Sequence, residues 1–345
     1  MEKLRIGIVS TGHIAEVIAK AITQSRHAHV AAVSSRLQSS ADDFAEPFGA
    51  KAFSDWRQLV AWQGIDAVYV ATPTAVREPI CLAAASHKKH VLAEKPFISS
   101  DSVHRIGREC LKNRVAFMDA THFVHHPRHL AIKQFIAQEC GPVQSLYSAF
   151  FFPLVDMENV RYDTAMEPLG AFADMGWYSM RAITEYLCTG VEVAQATAYL
   201  ERHEKTGSID RAGGFLRFMD GKTSSFDVGY NCGTCLMDLS IIGSKGSVSL
   251  DDFVLDWQKG FVFDNPNHKV GFTTKPNGAV TPADFNFIET PAEIPQHVSM
   301  IDDFAELAAS RAEKAITASI QASENTQRLL DVVWDKGRMY TSSGP

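Results

Sequence analysis

The run His90-Val91-Leu92-Ala93-Glu94-Lys95-Pro96-Phe97 drives an apolar strand onto a cation and a proline. Open parallel α/β sheets bind their ligands outside the carboxyl ends of the strands, and a proline fixes the turn that follows. Lys95 is therefore a candidate for polarising a substrate oxygen. The competing reading is an ammonium that only snorkels to solvent at a strand end. Farther along, Asp174 and Tyr178 stand four apart within a helix predicted over Gly170 to Leu187, which puts them on one face. A phenol has a reference pKa of about 10, and a neighbouring ammonium favours its ionised form, so a lysine and a tyrosine make a workable proton-exchanging pair. A lone helical tyrosine more commonly anchors helix to sheet through its hydroxyl.

A second group of residues has the chemistry of nucleotide binding. Ser10-Thr11-Gly12-His13-Ile14-Ala15 follows the first apolar run and fits the pattern G-x-G-x-x-G/A, with serine in the first glycine position. Gly12 lets backbone approach a pyrophosphate, Ala15 lets the helix pack on the strand, and the helix amino end faces the anion. The next strand ends in Ser34-Ser35-Arg36, where an enzyme using the unphosphorylated cofactor offers an acid to the ribose; the chain has none until Asp42. A hydroxyl and a forked guanidinium suit a 2′-phosphate, so NADP is predicted over NAD. His122, His125, His126 and His129 cluster near a proline, Pro127, that breaks any helical spacing, and no H-E-x-x-H pattern is present. No metal site is predicted there. His122 is instead the candidate for lining a substrate pocket near the domain junction.

These residues need elements to hold them. At 345 residues the chain is long for one core, and with 46% hydrophobic and 21% charged residues it reads as ordinary soluble material. A net charge of -7 and a pI near 6.0 provide no field for phosphate backbones or anionic lipid, which excludes nucleic acid and membrane surfaces as expected partners. No apolar run approaches the roughly 20 residues of a spanning helix, and Met1-Glu2-Lys3 leads straight into a strand, so a cytoplasmic protein is expected. The six cysteines are scattered, mostly in apolar runs, as buried thiols would be. Cys232-Gly233-Thr234-Cys235 reads as a turn between strands.

Residues 1–120 alternate strand and helix as a doubly wound parallel sheet demands. Strands are expected at 4–9, 29–34, 51–53, 65–71, 90–95 and 115–118. Intervening helices are expected to be capped by Ser54 and Asp101. Residues 121–345 change texture: the helix 170–187 is followed by strand candidates 191–199, 214–218, 223–230, 236–242 and 248–250, hence an α+β domain with a large, mostly antiparallel open sheet. Helices over 297–338 are free to pack back on either domain.

Taken together, Ile6 to Ala15, Ser35-Arg36, Ala71-Thr72-Pro73-Thr74, Glu94-Lys95-Pro96 and Gly170 to Tyr178 resemble the Gfo/Idh/MocA oxidoreductase family over nearly the whole chain. The texture is nearest its dimeric dihydrodiol dehydrogenase and NADP-dependent D-xylose dehydrogenase branch. The resemblance implies that Lys95 lies beside the nicotinamide and the substrate hydroxyl, that Tyr178 takes the acid/base position, and that Asp174 orients substrate or lysine. It further implies cofactor contacts from Ser10, Thr11, Gly12, His13, Ile14, Thr72, Pro73, Thr74 and Glu94, and a homodimer formed on the open sheet. Two departures stand out: Arg77 replaces a histidine that many relatives carry three residues after Thr74, and Tyr178 stands where sugar-specific relatives often have histidine. The expected activity is NADP-dependent hydride transfer to or from a sugar, cyclic polyol or trans-dihydrodiol. The alternative is a regulator that senses dinucleotide or sugar without turnover.

Overall fold

Leu4-Arg5-Ile6-Gly7-Ile8-Val9 forms the strand its apolar run predicts, with Ile6 and Ile8 wholly buried. The computed structural model describes residues 2–187, 190, 192–260 and 263–341. The chain divides into two compact units, Met1–His125 with Gln296–Asn325, and His126–Pro295 with Thr326–Pro345.

In the first unit the order is β1 (Leu4–Val9), α1 (His13–Gln24), β2 (Ala28–Ser34), α2 (Gln38–Ala45), β3 (Lys51–Phe53), α3 (Trp56–Ala61), β4 (Ala67–Val70), α4 (Thr74–Ser86), β5 (His90–Ala93), α5 (Ser100–Asn113) and β6 (Phe117–Asp119). The strands make one parallel six-stranded sheet in the order β3-β2-β1-β4-β5-β6. The order reverses between β1 and β4, so a topological switch point opens at their carboxyl ends. Gly7 lets α3 close on the sheet: a Cβ there would stand 2.8 Å from the Leu59 side chain. Two caps differ from expectation. Asp55, not Ser54, accepts from the Arg57 amide, and Ser99, not Asp101, accepts from the Ser102 amide. In both places a residue one or two positions away was also of a capping type.

The second unit begins with α6 (Pro127–Phe135), β7 (Val143–Phe151), α7 (Gly170–Asp174) and α8 (Gly176–Ala182). There follow β8 (Val193–Arg202), β9 (Ile209–Phe218), β10 (Thr223–Gly229), β11 (Leu236–Gly243), β12 (Gly246–Leu250), β13 (Gly271–Pro276) and β14 (Asn286–Glu289). Then α9 (Gln296–Ser310) and α10 (Glu313–Lys336) lead to β15 (Gly337–Thr341). The nine-stranded sheet runs β14-β13-β12-β11-β7-β10-β9-β8-β15 and is mostly antiparallel, with β10 parallel to β7 and β15 parallel to β8. β7, β13, β14 and β15 were not among the expected strands. The start of the expected 191–199 strand, Val191, and Cys188 lie outside the described residues. The single helix expected over 170–187 is three segments: α7, α8 and a π-helical turn Ile183–Leu187. α7 opens on Gly170 at φ +50, where a Cβ would run into the Ile209 backbone of β9.

α9 and α10 as far as Asn325 belong to the first unit, where Ile320 seats against Gly107 of α5 and Ser323 donates to Asp119 at the end of β6. The rest of α10 belongs to the second, with Trp334 beside Phe172. Among the described residues no helix is long and apolar enough to cross a membrane.

Candidate active site

At the switch point the turn after β1 has the backbone that its degenerate motif left in question. Ser10 adopts φ +117, in the region that favours glycine, so the serine occupies a glycine conformation rather than abolishing it. Its hydroxyl accepts from the Gly12 amide at 3.2 Å, a local bond that short polar side chains offer to a tight turn. Gly12 is the extended N-cap of α1, and no side chain caps that helix, so the first-turn amides of His13 and Ile14 have no capping acceptor. Ala15 is fully buried, as are Ile18, Ala19 and Ile22 on the same helix. Thr11 Oγ1 meets Ser35 Oγ at 3.3 Å, and Arg36 is exposed just past β2. Ser34 Oγ and Thr72 Oγ1 are buried without a hydrogen-bond partner. They are two of several such atoms among the described residues, and at these strand ends a bound polar ligand would give them partners. Uncapped amides, hydroxyls and a guanidinium fit a dinucleotide.

The ends of β4 and β5 carry the next residues. Thr72 and Pro73 lead into α4, with Pro73 as its N-cap and Thr74 buried at its first position. β5 stops at Ala93, so Lys95 stands in the loop beyond it, half-buried, and its peptide bond to Pro96 is cis. Glu94 is buried and accepts from the hydroxyl of Tyr69 on β4 at 2.6 Å. Arg77 is buried too, and its guanidinium donates to the carbonyls of Pro96 and Thr72 and, at 3.4 Å, to Thr74 Oγ1. The sequence flagged Arg77 only as a departure; its bonds to backbone carbonyls leave no trace in a pattern of residue types.

In the second unit Asp174 closes α7, and the helix is interrupted at Met175 before Tyr178. Asp174 Oδ2 accepts from Arg161 Nε at 2.7 Å and from Tyr230 Oη at 3.0 Å. Asp174 raises the affinity of Arg161 for its proton, and burial followed by Asp174 pushes the Tyr230 phenol well above its ordinary value, so Tyr230 stays a donor. Neither partner was singled out from sequence: Arg161 lies in the single 3₁₀ turn Val160–Tyr162 and Tyr230 just past β10. Tyr178 is buried, its ring edge-on to Phe150 of β7 at 5.4 Å between centroids. The Arg161–Asp174–Tyr230 group holds a carboxylate in a fixed direction.

The histidines go to separate tasks. His122 is buried, with Nδ1 2.6 Å from Gln296 Nε2, and His125 Nδ1 meets Asp303, both in the first unit. In the second, His126 caps α6 and His129 binds Tyr186 Oη at 2.9 Å beside Glu185. Among the described residues no group of three or more His, Cys, Asp or Glu side chains could hold a metal ion. Cys232 and Cys235 occupy the turn between β10 and β11, unlinked.

Residues 4–120 match the model of the oxidoreductase family with the NAD-binding Rossmann fold, GFO_IDH_MocA, and residues 129–249 match the GFO/IDH/MocA C-terminal domain. The dTDP-3,4-didehydro-2,6-dideoxy-alpha-D-glucose 3-reductase of Streptomyces violaceoruber is 30% identical over 261 residues, 72% of either chain. The chain belongs to the Gfo/Idh/MocA oxidoreductase family. Its first domain is of the NAD-binding Rossmann type, and the protein is an oxidoreductase. The D-xylose 1-dehydrogenase (NADP(+)) 2 of Haloferax volcanii is 30% identical over 65% of this chain and 70% of its own. Among solved structures, the 3-ketoreductase KijD10 of Actinomadura kijaniata, with NADP and TDP-benzene, superposes with a TM-score of 0.87 at 21% identity, covering 99% of this chain and all of the other. That similarity concerns the fold.

Proposed function

We propose that the protein uses NADP to move a hydride to or from a hydroxyl- or carbonyl-bearing carbon of a sugar, with cyclic polyols and trans-dihydrodiols as the neighbouring substrate classes. The carrying observation is the gathering, at the carboxyl ends of β1, β4 and β5, of an uncapped helix amino end, the Thr72-Pro73-Thr74 loop and Lys95. The bound cofactor supplies the hydride chemistry. The first-turn amides of α1 bind its pyrophosphate, with Ser10, Thr11 and Gly12 shaping the turn; Thr72, Pro73 and Thr74 line its ribose and nicotinamide side, and Glu94 holds that wall through Tyr69. Lys95 polarises the reacting oxygen, Tyr178 exchanges its proton, Asp174 orients substrate or lysine, and His122 lines the substrate pocket.

The preference for NADP is supported by Ser35 and the exposed Arg36 beyond β2, with the first acid, Asp42, already inside α2. The names of the relatives from S. violaceoruber and H. volcanii support sugar as the substrate class and, in the second, NADP. The exposed face of the nine-stranded sheet, which includes Tyr147 and Phe215, is the proposed homodimer surface. The test has two arms. Arg36→Asp is expected to weaken NADPH binding by about tenfold or more while leaving NADH within about twofold, since one charge-assisted contact is worth roughly that much; equal losses remove the phosphate role. Stoichiometric NADPH formation from NADP across a panel of aldoses, inositols and diols is the expected activity. Tight NADPH binding with no turnover on the whole panel defeats the substrate assignment.

A further inference from the structure

Arg77 stands where a guanidinium is costly. It lies in the first turn of α4, whose dipole disfavours cations, it is 3% exposed, and it forms no ion pair with a carboxylate among the described residues. Methionine would fill the same volume and lysine would carry the same charge. Neither offers a planar fork. That fork joins two loops: Nη1 donates to the carbonyl of Pro96 beyond β5 and to Thr74 Oγ1, while Nη2 donates to the carbonyl of Thr72 beyond β4 at 2.5 Å. Its Nε finds no acceptor, so the group is fixed by these contacts alone.

We propose that Arg77 is a positioning residue, which sets where Lys95 stands relative to the Thr72-Pro73-Thr74 wall by holding the carbonyl of the residue that follows the lysine. This rests on the reading of Lys95 and that wall given above. A side chain that acts on an oxygen must be held to within a fraction of an ångström, and a loop beyond a strand end lacks the strand's own hydrogen bonds to do it. The fork supplies hydrogen bonds of that kind across the two loops, and the residue-type departure at position 77 becomes a statement about geometry: a neutral imidazole carries one N–H and cannot donate to both carbonyls at once.

Competitive acetylation with NADPH present reads this placement without knowledge of the substrate. Lys95 labelling is referred to Lys112, which is exposed in the same unit, and Lys89, which is buried there, reports any general loosening. Arg77→Lys keeps the charge and loses the fork; Arg77→Met loses both. The expected result is a change of about threefold or more in the Lys95-to-Lys112 ratio in each variant, with Lys89 unmoved and NADPH affinity within about threefold of the parent. An unchanged ratio overturns the proposal, as does a change matched by an equal rise at Lys89. Should Arg77→Met fail to fold, Arg77→Lys decides alone. The two readings fail separately: a shifted ratio without turnover on the substrate panel retains the clamp and sinks the enzymatic assignment, whereas turnover with an unshifted ratio does the reverse.

Discussion

The first and second units hold their candidate residues by opposite means. In the first, Ser10, Thr72, Lys95 and Arg77 lie in or next to loops at strand ends, and Arg77 binds the backbone carbonyls of Thr72 and Pro96, at most 19 positions away. In the second, Asp174 is gripped side chain to side chain by Arg161 from a 3₁₀ turn and by Tyr230 from a strand end 56 positions away. The first arrangement depends on backbone course and the second on matched charge and phenol. Placement by backbone tolerates a change of side chain that keeps the turn, as Ser10 at φ +117 demonstrates. Placement by a charged network does not tolerate the loss of a member.

The largest expected effect tests whether each unit contributes to chemistry at all. Lys95→Ala and Tyr178→Phe should each lower the chemical step by about 10²–10⁴, the usual worth of a positioned proton-handling group, with NADPH affinity nearly unchanged. Single-turnover kinetics on a substrate found from the panel measures this. If only the Lys95 variant is impaired, the second unit's tyrosine is an anchor against Phe150, and the contrast between the units becomes one of chemistry against structure.

A smaller effect probes the charged network. Tyr230→Phe removes a donor from Asp174, and Arg161→Met removes the cation. Each is expected to cost about 1–2 kcal/mol in denaturant unfolding, discounted for the partial exposure of Arg161. The double variant should depart from additivity by about 0.5 kcal/mol or more, because both act on one carboxylate oxygen. Strict additivity would mean that the two contacts are independent and that Asp174 is not held as a unit.

The same contrast explains what could be read from the chain and what could not. β1 and β3 have their expected bounds, and β2, β4 and β5 lie within a residue or two of them, because buried parallel strands are short apolar runs punctuated by glycine, serine and proline. Lys95 and the Gly12 turn were legible for the same reason: both follow such a run within a residue or three. β7 was missed although it lies in the middle of the large sheet, since Val143-Gln144-Ser145-Leu146-Tyr147-Ser148-Ala149-Phe150-Phe151 mixes serines and alanine into the alternation and blurs its period. β13, β14 and β15 fall where weakly apolar segments become strands only by pairing with a neighbour already in place. The helix over 170–187 had the right extent, and its interruption at Met175 went unread although Gly176, a poor helix former, follows it. Arg161 and Tyr230 were invisible because nothing local connects them with Asp174. Arg77 was noticed as an oddity, yet its acceptors are backbone atoms that every residue possesses.

The smallest effect separates the units by pH. Each contains a histidine whose Nδ1 accepts a backbone amide: the half-buried His90 from Ala116 at 2.9 Å in the first and the buried His126 from Arg128 at 3.0 Å in the second. Burial lowers His90 from 6.5 to about 4, and burial, with Arg128 adding to it, lowers His126 from 6.5 to about 3. A folded-state value below the unfolded one means that the unfolded chain binds the extra proton first. The stability these rings contribute is therefore intact above about pH 6.5 and drains as the pH falls toward the folded values. His126→Asn keeps an N-cap acceptor for α6 and removes the titration. Between pH 7 and 5 it should lose about 1–2 kcal/mol less than the parent, near 1.4 kcal/mol for each unit of pH below 6.5. The first unit, still carrying His90, then becomes the acid-sensitive one, and hydrogen exchange at pH 5 should find opening concentrated around β5 and β6 rather than α6. Equal acid sensitivity in parent and variant would show that His126 already finds a proton-tolerant environment, and that the second unit's charged groups, not its buried ring, govern its response to acid.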